Sequence, residues 1–186
     1  MTAQKNHMTD FPHLTLVVGG ARSGKSRFAE RLVQASGLAR CYIATAQAYD
    51  DEMRDRIAQH QEDRGPNWHT IEAPMNLCAA LDTVPTGAAT LIDCATLWLT
   101  NHLLADSDLD AEGDKLLDAL ANSAGPIVIV SNEVGMGIVP ENKLARLFRD
   151  AQGRLNQKIA ARADLVVTVI AGLPLALKGP MPKDLS

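Results

Sequence analysis

The sequence predicts an α/β protein with a doubly wound, mainly parallel sheet flanked by helices. Strand-like and helix-like segments alternate along the chain, and residues 126–131 contain an uninterrupted β-branched run. A run of this kind is typical of a central parallel strand that is covered on both faces. The alternation predicts crossover helices between the strands, and ligands then bind at the carboxyl ends of those strands.

A glycine-rich loop between the first strand and the first helix is the most informative segment. The apolar residues 14–18 predict a buried strand, and residues 25–33 predict an amphipathic helix with Phe28, Ala29 and Leu32 inward. Residues 19–26 lie between them and fit the phosphate-binding pattern G-x-x-x-x-G-K-[ST]. We call residues 19–26 the phosphate loop, and we predict a P-loop nucleotide-binding fold.

The phosphate loop predicts that the protein binds a nucleoside triphosphate. Backbone N–H groups and the positive end of the following helix would hold the phosphate oxygens. Lys25 would reach the β- and γ-phosphates, and the Ser26 hydroxyl would ligate Mg2+. The candidate contacts are Gly19, Gly20, Ala21, Arg22, Ser23, Gly24, Lys25 and Ser26.

The later elements follow from periodicity in the same way. Further strands are predicted at residues 40–46, 69–73, 90–93, 126–131 and 164–170. Further helices are predicted at residues 50–64, 77–81, 97–104, 111–122 and 141–163. Pro140 is placed to start the last helix, whose inward face would hold Leu144, Phe148, Ala151, Leu155 and Ile159.

The chain has 186 residues, which suits one domain with a substantial core. We predict a single P-loop α/β domain over residues 13–172, preceded by a flexible extension over residues 1–12. The tail over residues 173–186 contains three prolines and is predicted to be irregular.

Charge and composition narrow the class of partner. The formal net charge of −4 argues against a broad basic surface for nucleic acid, so the partner is expected to be a small molecule. The three widely spaced cysteines are expected to be reduced core thiols. The polar first ten residues lack the apolar core of a signal peptide, and no apolar run is long enough to span a bilayer. We therefore expect a soluble, cytoplasmic protein with no membrane segment.

The predicted helix over residues 50–64 carries a second group of polar candidates. Met53, Ile57, His60 and Arg64 fall within about 60° of one another on one helix face. If the two apolar residues pack inward, His60 and Arg64 point towards a cleft where both would be able to meet phosphate. A histidine at a fraying helix end fits the same spacing, so spacing alone does not decide between the two.

Two acids and one loop follow predicted strands. Asp93 ends an apolar strand at a position suited to holding Mg2+, although an aspartate there also caps loops. Glu72 ends a strand in the same way and is no more specific. Residues 132–140 combine two glycines with apolar side chains, which suits a contact with substrate or with another subunit, or simply a mobile connection.

Several motifs together resemble one enzyme family more specifically than the phosphate loop does alone. These are GGARSGKSR at 19–27, YIATA at 42–46, DEM at 51–53, Arg56-Ile57-x-x-His60, Trp68-x-Thr70-x-Glu72 and NEVGMGIVP at 132–140. The chain is similar, from about residue 14 to residue 170, to the bifunctional adenosylcobinamide kinase and adenosylcobinamide-phosphate guanylyltransferase family of cobalamin biosynthesis.

The resemblance implies two reactions on one corrinoid substrate. The γ-phosphate of ATP or GTP would pass to the hydroxyl of adenosylcobinamide. GTP would then guanylylate His60, and GMP would pass to adenosylcobinamide phosphate to give adenosylcobinamide-GDP. A covalent intermediate of this kind splits one difficult displacement into two easier ones.

The resemblance also implies a set of site residues and an assembly. Arg64 or Lys25 would neutralise charge on the transferred phosphoryl group. Gln59 precedes a single His60 here, whereas some family members carry two adjacent histidines. The resemblance implies a homotrimeric assembly, so a homo-oligomer is expected. Beyond the phosphate loop, the implied nucleotide contacts are Ala44, Thr45, Ala46, Gln61, Glu62, Asp63, Arg64, Glu72 and Asp93.

Two other functions stay open from the residues themselves. A small-molecule kinase would use the phosphate loop alone. A non-catalytic GTP-binding regulator is disfavoured because the nearest match to a guanine-reading N-K-x-D run, residues 142–145, has Ala145 in place of the aspartate.

Overall fold

The computed structural model describes residues 11–47, 65, 67–182 and 185. Within them lies a seven-stranded sheet in which every neighbouring pair is parallel except the last. The strands are β1 (Leu14–Gly19), β2 (Ala39–Ala44), β3 (Trp68–Glu72), β4 (Ala88–Asp93), β5 (Ile127–Asn132), β6 (Leu165–Ile170) and β7 (Leu173–Lys178). Their order across the sheet is β3-β2-β4-β5-β1-β6-β7. The predicted mainly parallel α/β fold is confirmed.

Helices cover both faces of the sheet. Those described are α1 (Lys25–Ala35), α2 (Leu77–Asp82), α3 (Ala95–Leu104), α4 (Leu109–Ala121) and α5 (Lys143–Arg162). Helix α1 packs on one face, which we call the α1 face, with Val128 and Val130 of β5 beneath it. The other four helices pack on the opposite face, the α5 face, over Ile127 and Ile129. Side chains of β5 therefore alternate between two separate cores, as a strand covered on both faces requires.

The start of α5 differs from the prediction. Asn142, rather than Pro140, begins the helix, because its Oδ1 accepts hydrogen bonds from the N–H groups of Leu144 and Ala145 at 2.8 and 3.1 Å. Leu144 was predicted to face inward but is half exposed, since it lies in the first turn beyond the edge of the core. Ala151, Leu155 and Ile159 are buried as predicted.

The tail after residue 172 is not irregular, and this part of the prediction was wrong. Ala171 and Gly172 both have positive φ, 52° and 81°, which is the backbone of a tight two-residue hairpin turn. The turn allows β7 to pair antiparallel to β6. Pro174 is tolerated because β7 lies at the edge of the sheet.

Two segments outside the predicted domain also pack on the core. Phe11, placed by the prediction in a flexible extension, is partly buried under the α1 face, and Leu185 is buried there. The apolar area of these side chains explains why both segments join the folded body. Residues 1–10 and the predicted helix over residues 50–64 lie outside the described residues. None of the described helices is long and apolar enough to cross a membrane.

Candidate nucleotide site at the carboxyl edge of the sheet

The phosphate loop leaves β1 and turns directly into α1. Gly24 precedes the helix with φ 94°, a left-handed backbone that favours glycine. The N–H of Ser23 donates to the carbonyl of Gly20 at 3.3 Å, which closes the turn. The unpaired N–H groups of the first helical turn therefore face the space above the loop, where an anion binds favourably.

Close packing beneath the loop explains the glycine that begins it. A Cβ built on Gly19 would lie 2.5 Å from the Ser23 Oγ and 2.6 Å from the carbonyl oxygen of Val169. Any side chain at position 19 would therefore force the loop off β6. The Ser23 Oγ is buried and has no hydrogen-bond partner among the described residues. The loop thus has the tight backbone curvature of a phosphate cradle.

Lys25 lies across the mouth of this cradle. Its Nζ donates to the carbonyl of Gly20 at 3.2 Å, so the side chain folds back over its own loop. The contact is exposed, and the ammonium group would exchange a backbone carbonyl for phosphate oxygens when a nucleotide enters.

Strand alternation decides which polar groups share a face with the phosphate loop. Leu91 of β4 packs on the α1 face and Ile92 packs on the α5 face, so Asp93 returns to the α1 face. The same count places Ala44, at the end of β2, on the α1 face. Asp93 and the phosphate loop therefore meet on one side of the carboxyl edge, the edge formed by the ends of the parallel strands.

Cys94 follows Asp93 and is a buried thiol on the α1 face. Burial, and then the negative charge of Asp93, raise the pKa of Cys94 to about 12, while Lys25 acts in the opposite direction. The charges of Asp93 and Lys25 therefore change the pKa of the same buried thiol in opposite directions. At neutral pH this thiol stays protonated, so it is a poor metal ligand.

The remaining donors suit magnesium. Ser26 supplies a hydroxyl oxygen and Asp93 a carboxylate oxygen, and Mg2+ prefers such hard oxygen ligands together with substrate phosphates. No group of three or more histidine, cysteine, aspartate or glutamate side chains gathers as a metal cage in the part of the chain that the structure describes. The site fits a metal held jointly by protein and nucleotide.

Thr45 supports the site from below, although we expected it to contact the nucleotide. Its side chain is fully buried, and its Oγ1 donates to the Cys94 carbonyl at 2.8 Å and accepts from the Cys94 N–H at 2.7 Å. Its own N–H donates to the Asp93 carbonyl at 3.2 Å, and its carbonyl accepts from Asn101 Nδ2 at 2.9 Å. Each polar atom of Thr45 therefore has a protein partner.

Glu72 lies at the same edge but far from the phosphate loop. It pairs with Ala44 and is exposed at the end of β3. The sheet order separates β3 from β1 by four strand spacings, or about 19 Å at about 4.8 Å each. Glu72 is therefore far from the phosphate loop, and its contact with a nucleotide, like that of Ala46, stays a prediction.

The predicted nucleophile and its neighbours lie outside the described residues; they are His60, Gln61, Glu62, Asp63 and Arg64. Their segment joins β2 to β3, and it leaves β2 at the carboxyl edge. The chain path therefore begins on the side of the sheet where the phosphate loop lies.

The loop after β5 begins beside the phosphate loop and carries exposed apolar side chains. The N–H of Glu133 donates to the carbonyl of Gly19 at 3.1 Å, and the Glu133 Oε1 accepts from the N–H of Gly135 at 2.6 Å. Beyond this anchored start, Met136 and Ile138 are 90 % and 96 % exposed. The loop offers an apolar surface next to the candidate nucleotide site.

Sequence reasoning missed a group of buried polar side chains under this edge. Asn132 receives a hydrogen bond from Asn156 and donates one to Thr96, and Ser131 and Gln152 complete the cluster. The sequence did contain a signal for Asn132, since a polar residue that ends an apolar strand is the same feature that led to the selection of Asp93.

The sheet, the cradle and the lysine together define a P-loop nucleotide-binding protein. Sequence comparison then identifies which one. The chain belongs to the CobU family, described as cobinamide kinase / cobinamide phosphate guanyltransferase, whose model matches residues 15–177. The resemblance and the predicted class, a kinase and nucleotidyltransferase of cobalamin biosynthesis, are confirmed.

Curated relatives match over nearly their full length. The bifunctional adenosylcobalamin biosynthesis protein CobP of Pseudomonas aeruginosa is 52 % identical over 167 residues, which is 88 % of this chain and 96 % of the relative. The protein CobU of Salmonella typhimurium is 42 % identical over 182 residues, 89 % of this chain and 99 % of the relative. The Escherichia coli CobU is 41 % identical over 181 residues, with the same two shares of 89 % and 99 %.

Solved structures share the fold at low sequence identity. The flagellar accessory protein FlaH of Methanocaldococcus jannaschii aligns with a TM-score of 0.52 and 14 % identity, over 92 % of this chain and 81 % of its own. An ATPase of a bacterial type III secretion system aligns with a TM-score of 0.52 and 12 % identity, over 88 % of this chain and 56 % of its own. These likenesses confirm the architecture alone.

Proposed function

We propose that this chain phosphorylates adenosylcobinamide and then guanylylates the product through His60. The observation that carries the proposal is the phosphate loop with Lys25 and Asp93 on one face of the sheet, within a family that unites both activities. The two reactions attack opposite ends of a triphosphate, one at the γ-phosphorus and one at the α-phosphorus.

In the kinase step the substrate hydroxyl oxygen attacks the γ-phosphorus. The bond from that phosphorus to the bridging oxygen breaks, the nucleoside diphosphate leaves with the electron pair, and the hydroxyl proton passes to solvent. Lys25 and the N–H groups at the start of α1 would hold the phosphates in line and balance the developing charge.

In the transferase step a ring nitrogen of His60 attacks the α-phosphorus of GTP. Pyrophosphate leaves, and a phosphorus–nitrogen bond links GMP to the protein. A phosphate oxygen of adenosylcobinamide phosphate then attacks the same phosphorus, the phosphorus–nitrogen bond breaks, and adenosylcobinamide-GDP is released. The imidazole must be neutral to act as the nucleophile. Arg64, four positions further along the predicted helix, would offset charge on the α-phosphate.

Ser26 and Asp93 would hold Mg2+ together with the nucleotide phosphates. The bound ion would neutralise phosphate charge and fix the orientation of the triphosphate. The oxygen-only donor pair supports this assignment.

The exposed apolar loop after β5 is proposed to contact the corrinoid or a second subunit. Met136 and Ile138 supply the apolar area. A homotrimer, which the sequence resemblance implies, stays a proposal, and a row of exposed leucines on β7 supports a contact between subunits, namely Leu173, Leu175 and Leu177. Light scattering on the purified protein tests the homotrimer. A cytoplasmic location also stays a prediction.

Labelled GTP tests the two half-reactions separately. With Mg2+ and α-labelled GTP, the wild-type protein should retain label that is stable to base and released by acid, as expected for a phosphoramidate. His60→Ala should retain none, while transfer of γ-label to adenosylcobinamide continues. A wild-type protein that never acquires α-label would contradict the transferase half.

A matched control uses a histidine that the proposal leaves out. His13 lies at the opposite edge, where its Nε2 meets the Ser123 carbonyl at 2.9 Å. His13→Ala should keep full α-label. Equal loss of label in His13→Ala and His60→Ala would assign the effect to folding rather than to the nucleophile.

A further inference from the structure

One polar side chain at the carboxyl edge has no part in the steps above. Asn132 ends β5, and its side-chain Oδ1 is buried without a hydrogen-bond partner among the described residues. A buried acceptor of this kind is unfavourable for folding, because Oδ1 gives up its hydrogen bonds to water and gains none from the described residues. Such a group in a native site calls for a functional reason.

The backbone of Asn132 is held firmly on both sides. Its N–H donates to the Thr96 Oγ1 at 2.8 Å, and its carbonyl accepts from the Asn156 Nδ2 at 3.1 Å. Asn156 is fixed in turn, because its Oδ1 accepts from the Ser131 hydroxyl at 2.6 Å. The Asn132 side chain thus stands on a fixed backbone, and no hydrogen bond joins its amide to another of the residues that the structure describes.

Asn132 lies between the phosphate loop and Asp93, the two parts of the candidate nucleotide site. Asn132 pairs with Gly19, the first residue of the phosphate loop, and β5 separates β1 from β4, which ends at Asp93. Val130 pairs with Asp93, so Asn132 extends two residues beyond the level of that acid. By alternation after Val128 and Val130, its side chain points to the α1 face, as Asp93 does.

We propose that the Asn132 side-chain amide donates a hydrogen bond to the γ-phosphoryl group during phosphoryl transfer. The proposal rests on the function proposed above. Strand β1 lies between β5 and β6, and β5 is the neighbour on the side of Asp93, so a γ-phosphate directed from the loop towards Asp93 would extend over the end of β5. Asn132 stays partly exposed although its Oδ1 is buried, so Nδ2 is the edge that it presents to a ligand.

The Asn132 amide would accelerate the kinase reaction and leave the guanylyl transfer unchanged. As the acceptor oxygen bonds to the γ-phosphorus and the bridging oxygen departs with the electron pair, charge spreads over the oxygens of the transferred group. A donor fixed at those oxygens stabilises this transition state. Attack by His60 at the α-phosphorus leaves the γ-group chemically unchanged, so the same hydrogen bond gives no differential stabilisation there.

Three variants test the proposal in the full-length chain. Asn132→Ala removes the donor, Asn132→Asp replaces it with a carboxylate of the same shape, and Asn122→Ala is a matched control at the exposed end of α4. We expect Asn132→Ala to lower kcat for γ-label transfer to adenosylcobinamide by about 100-fold. Asn132→Asp should lower it further, because like charges repel.

Two readouts separate this role from a structural one. The rate of α-label incorporation from GTP should stay within about threefold of wild type in Asn132→Ala, and Tm should not fall, because the side chain makes no hydrogen bond that the variant loses. Asn122→Ala should match wild type in both transfers.

Several outcomes would overturn the proposal. Parallel loss of α-label and γ-transfer, or an unchanged kcat for γ-transfer, would do so. A rise in KM for adenosylcobinamide with kcat unchanged would assign the amide to the acceptor instead. A wild-type protein that shows neither transfer would contradict the proposed function itself, so the two failures are distinguishable.

Discussion

A Cβ built on Gly24 would lie 3.3 Å from the Cα of Gly172, in the turn between β6 and β7. The same turn donates the Gly172 N–H to the carbonyl of Ser23 at 2.8 Å. The phosphate loop is therefore held from outside by the last hairpin as well as from beneath by β6. Its shape depends on residues almost 150 positions further along the chain.

Gly24→Ala should weaken nucleotide binding, and Gly37→Ala should not. Both glycines have positive φ, 94° and 69°, so each alanine should lower the free energy of unfolding by about 1 to 2 kcal/mol. Only the side chain at position 24 meets a neighbour. We expect a rise in the Kd for GTP of at least about tenfold in Gly24→Ala alone. Urea unfolding and titration calorimetry measure the two effects, and equal Kd values in both variants would contradict the packing argument.

Lys25→Ala should impair both transfers with little change in stability. Within the described part of the chain its side chain makes one hydrogen bond, the exposed one to Gly20, so its loss leaves no buried group unpaired. Removing the positive charge from the phosphates should lower kcat/KM by about 100- to 1,000-fold. Lys158→Ala, on α5 beside Asp114, serves as the control and should retain activity. Full activity in Lys25→Ala would exclude it from the site.

Thr45→Val should destabilise the protein more than Thr45→Ser does. Valine keeps the shape but leaves the buried N–H of Cys94 without its partner, at a cost of about 1 to 3 kcal/mol, whereas the Cys94 carbonyl keeps the hydrogen bond from the Trp98 N–H at 3.2 Å. Serine keeps both hydrogen bonds and loses one methyl group, which costs about 1 kcal/mol. Denaturant midpoints distinguish the two, and a valine variant as stable as the serine variant would refute the role assigned to the hydroxyl.

Stability should fall with rising pH in the alkaline range. Burial raises the pKa of Cys41 to about 11, and burial together with Asp93 raises that of Cys94 to about 12. In the unfolded chain both thiols lose their protons near pH 8.5, about their ordinary value. Above that pH the unfolded chain binds fewer protons than the native protein, so the free energy of unfolding decreases until the native pKa values are passed.

Urea midpoints at pH 7, 9 and 10 measure this slope. The double variant Cys41→Ala and Cys94→Ala should show a shallower decline than wild type over the same range. Identical slopes in the two proteins would mean that other groups control the alkaline loss of stability.

Much of the fold could be predicted because its signals are local. The phosphate loop fixes a strand before it and a helix after it, and the β-branched run of β5 marks a strand buried on both faces. The strand order could not be predicted, since β1 is inserted between β5 and β6 by contacts distant in sequence. The hairpin to β7 was missed because three prolines outweighed the alternating leucines and the positive-φ turn at Ala171-Gly172.

In the candidate site, too, some residues could be predicted from the sequence and others could not. Lys25 and Asp93 could be named from motif and strand end, and the sheet brings them to one face. Thr45 stands in the same motif as Ala44, yet its side chain is fully buried and its hydroxyl joins the ends of β2 and β4 through two hydrogen bonds to Cys94. Asn132 could not be singled out from the sequence, because many strands end in an amide. The structure adds the observation that its buried Oδ1 has no hydrogen-bond partner among the described residues.

The position of β1 has a consequence for how the protein is made. Ribosomes synthesise the phosphate loop among the first residues, but β1 has no neighbours in the sheet until residues 127–132 and 165–170 exist. The turn that holds Ser23 comes later still, at Gly172. At synthesis rates of about 5 to 20 residues per second, the loop spends several seconds as nascent chain without its support. Nucleotide binding is therefore gained near the end of translation, so that truncated products carry the motif without the activity.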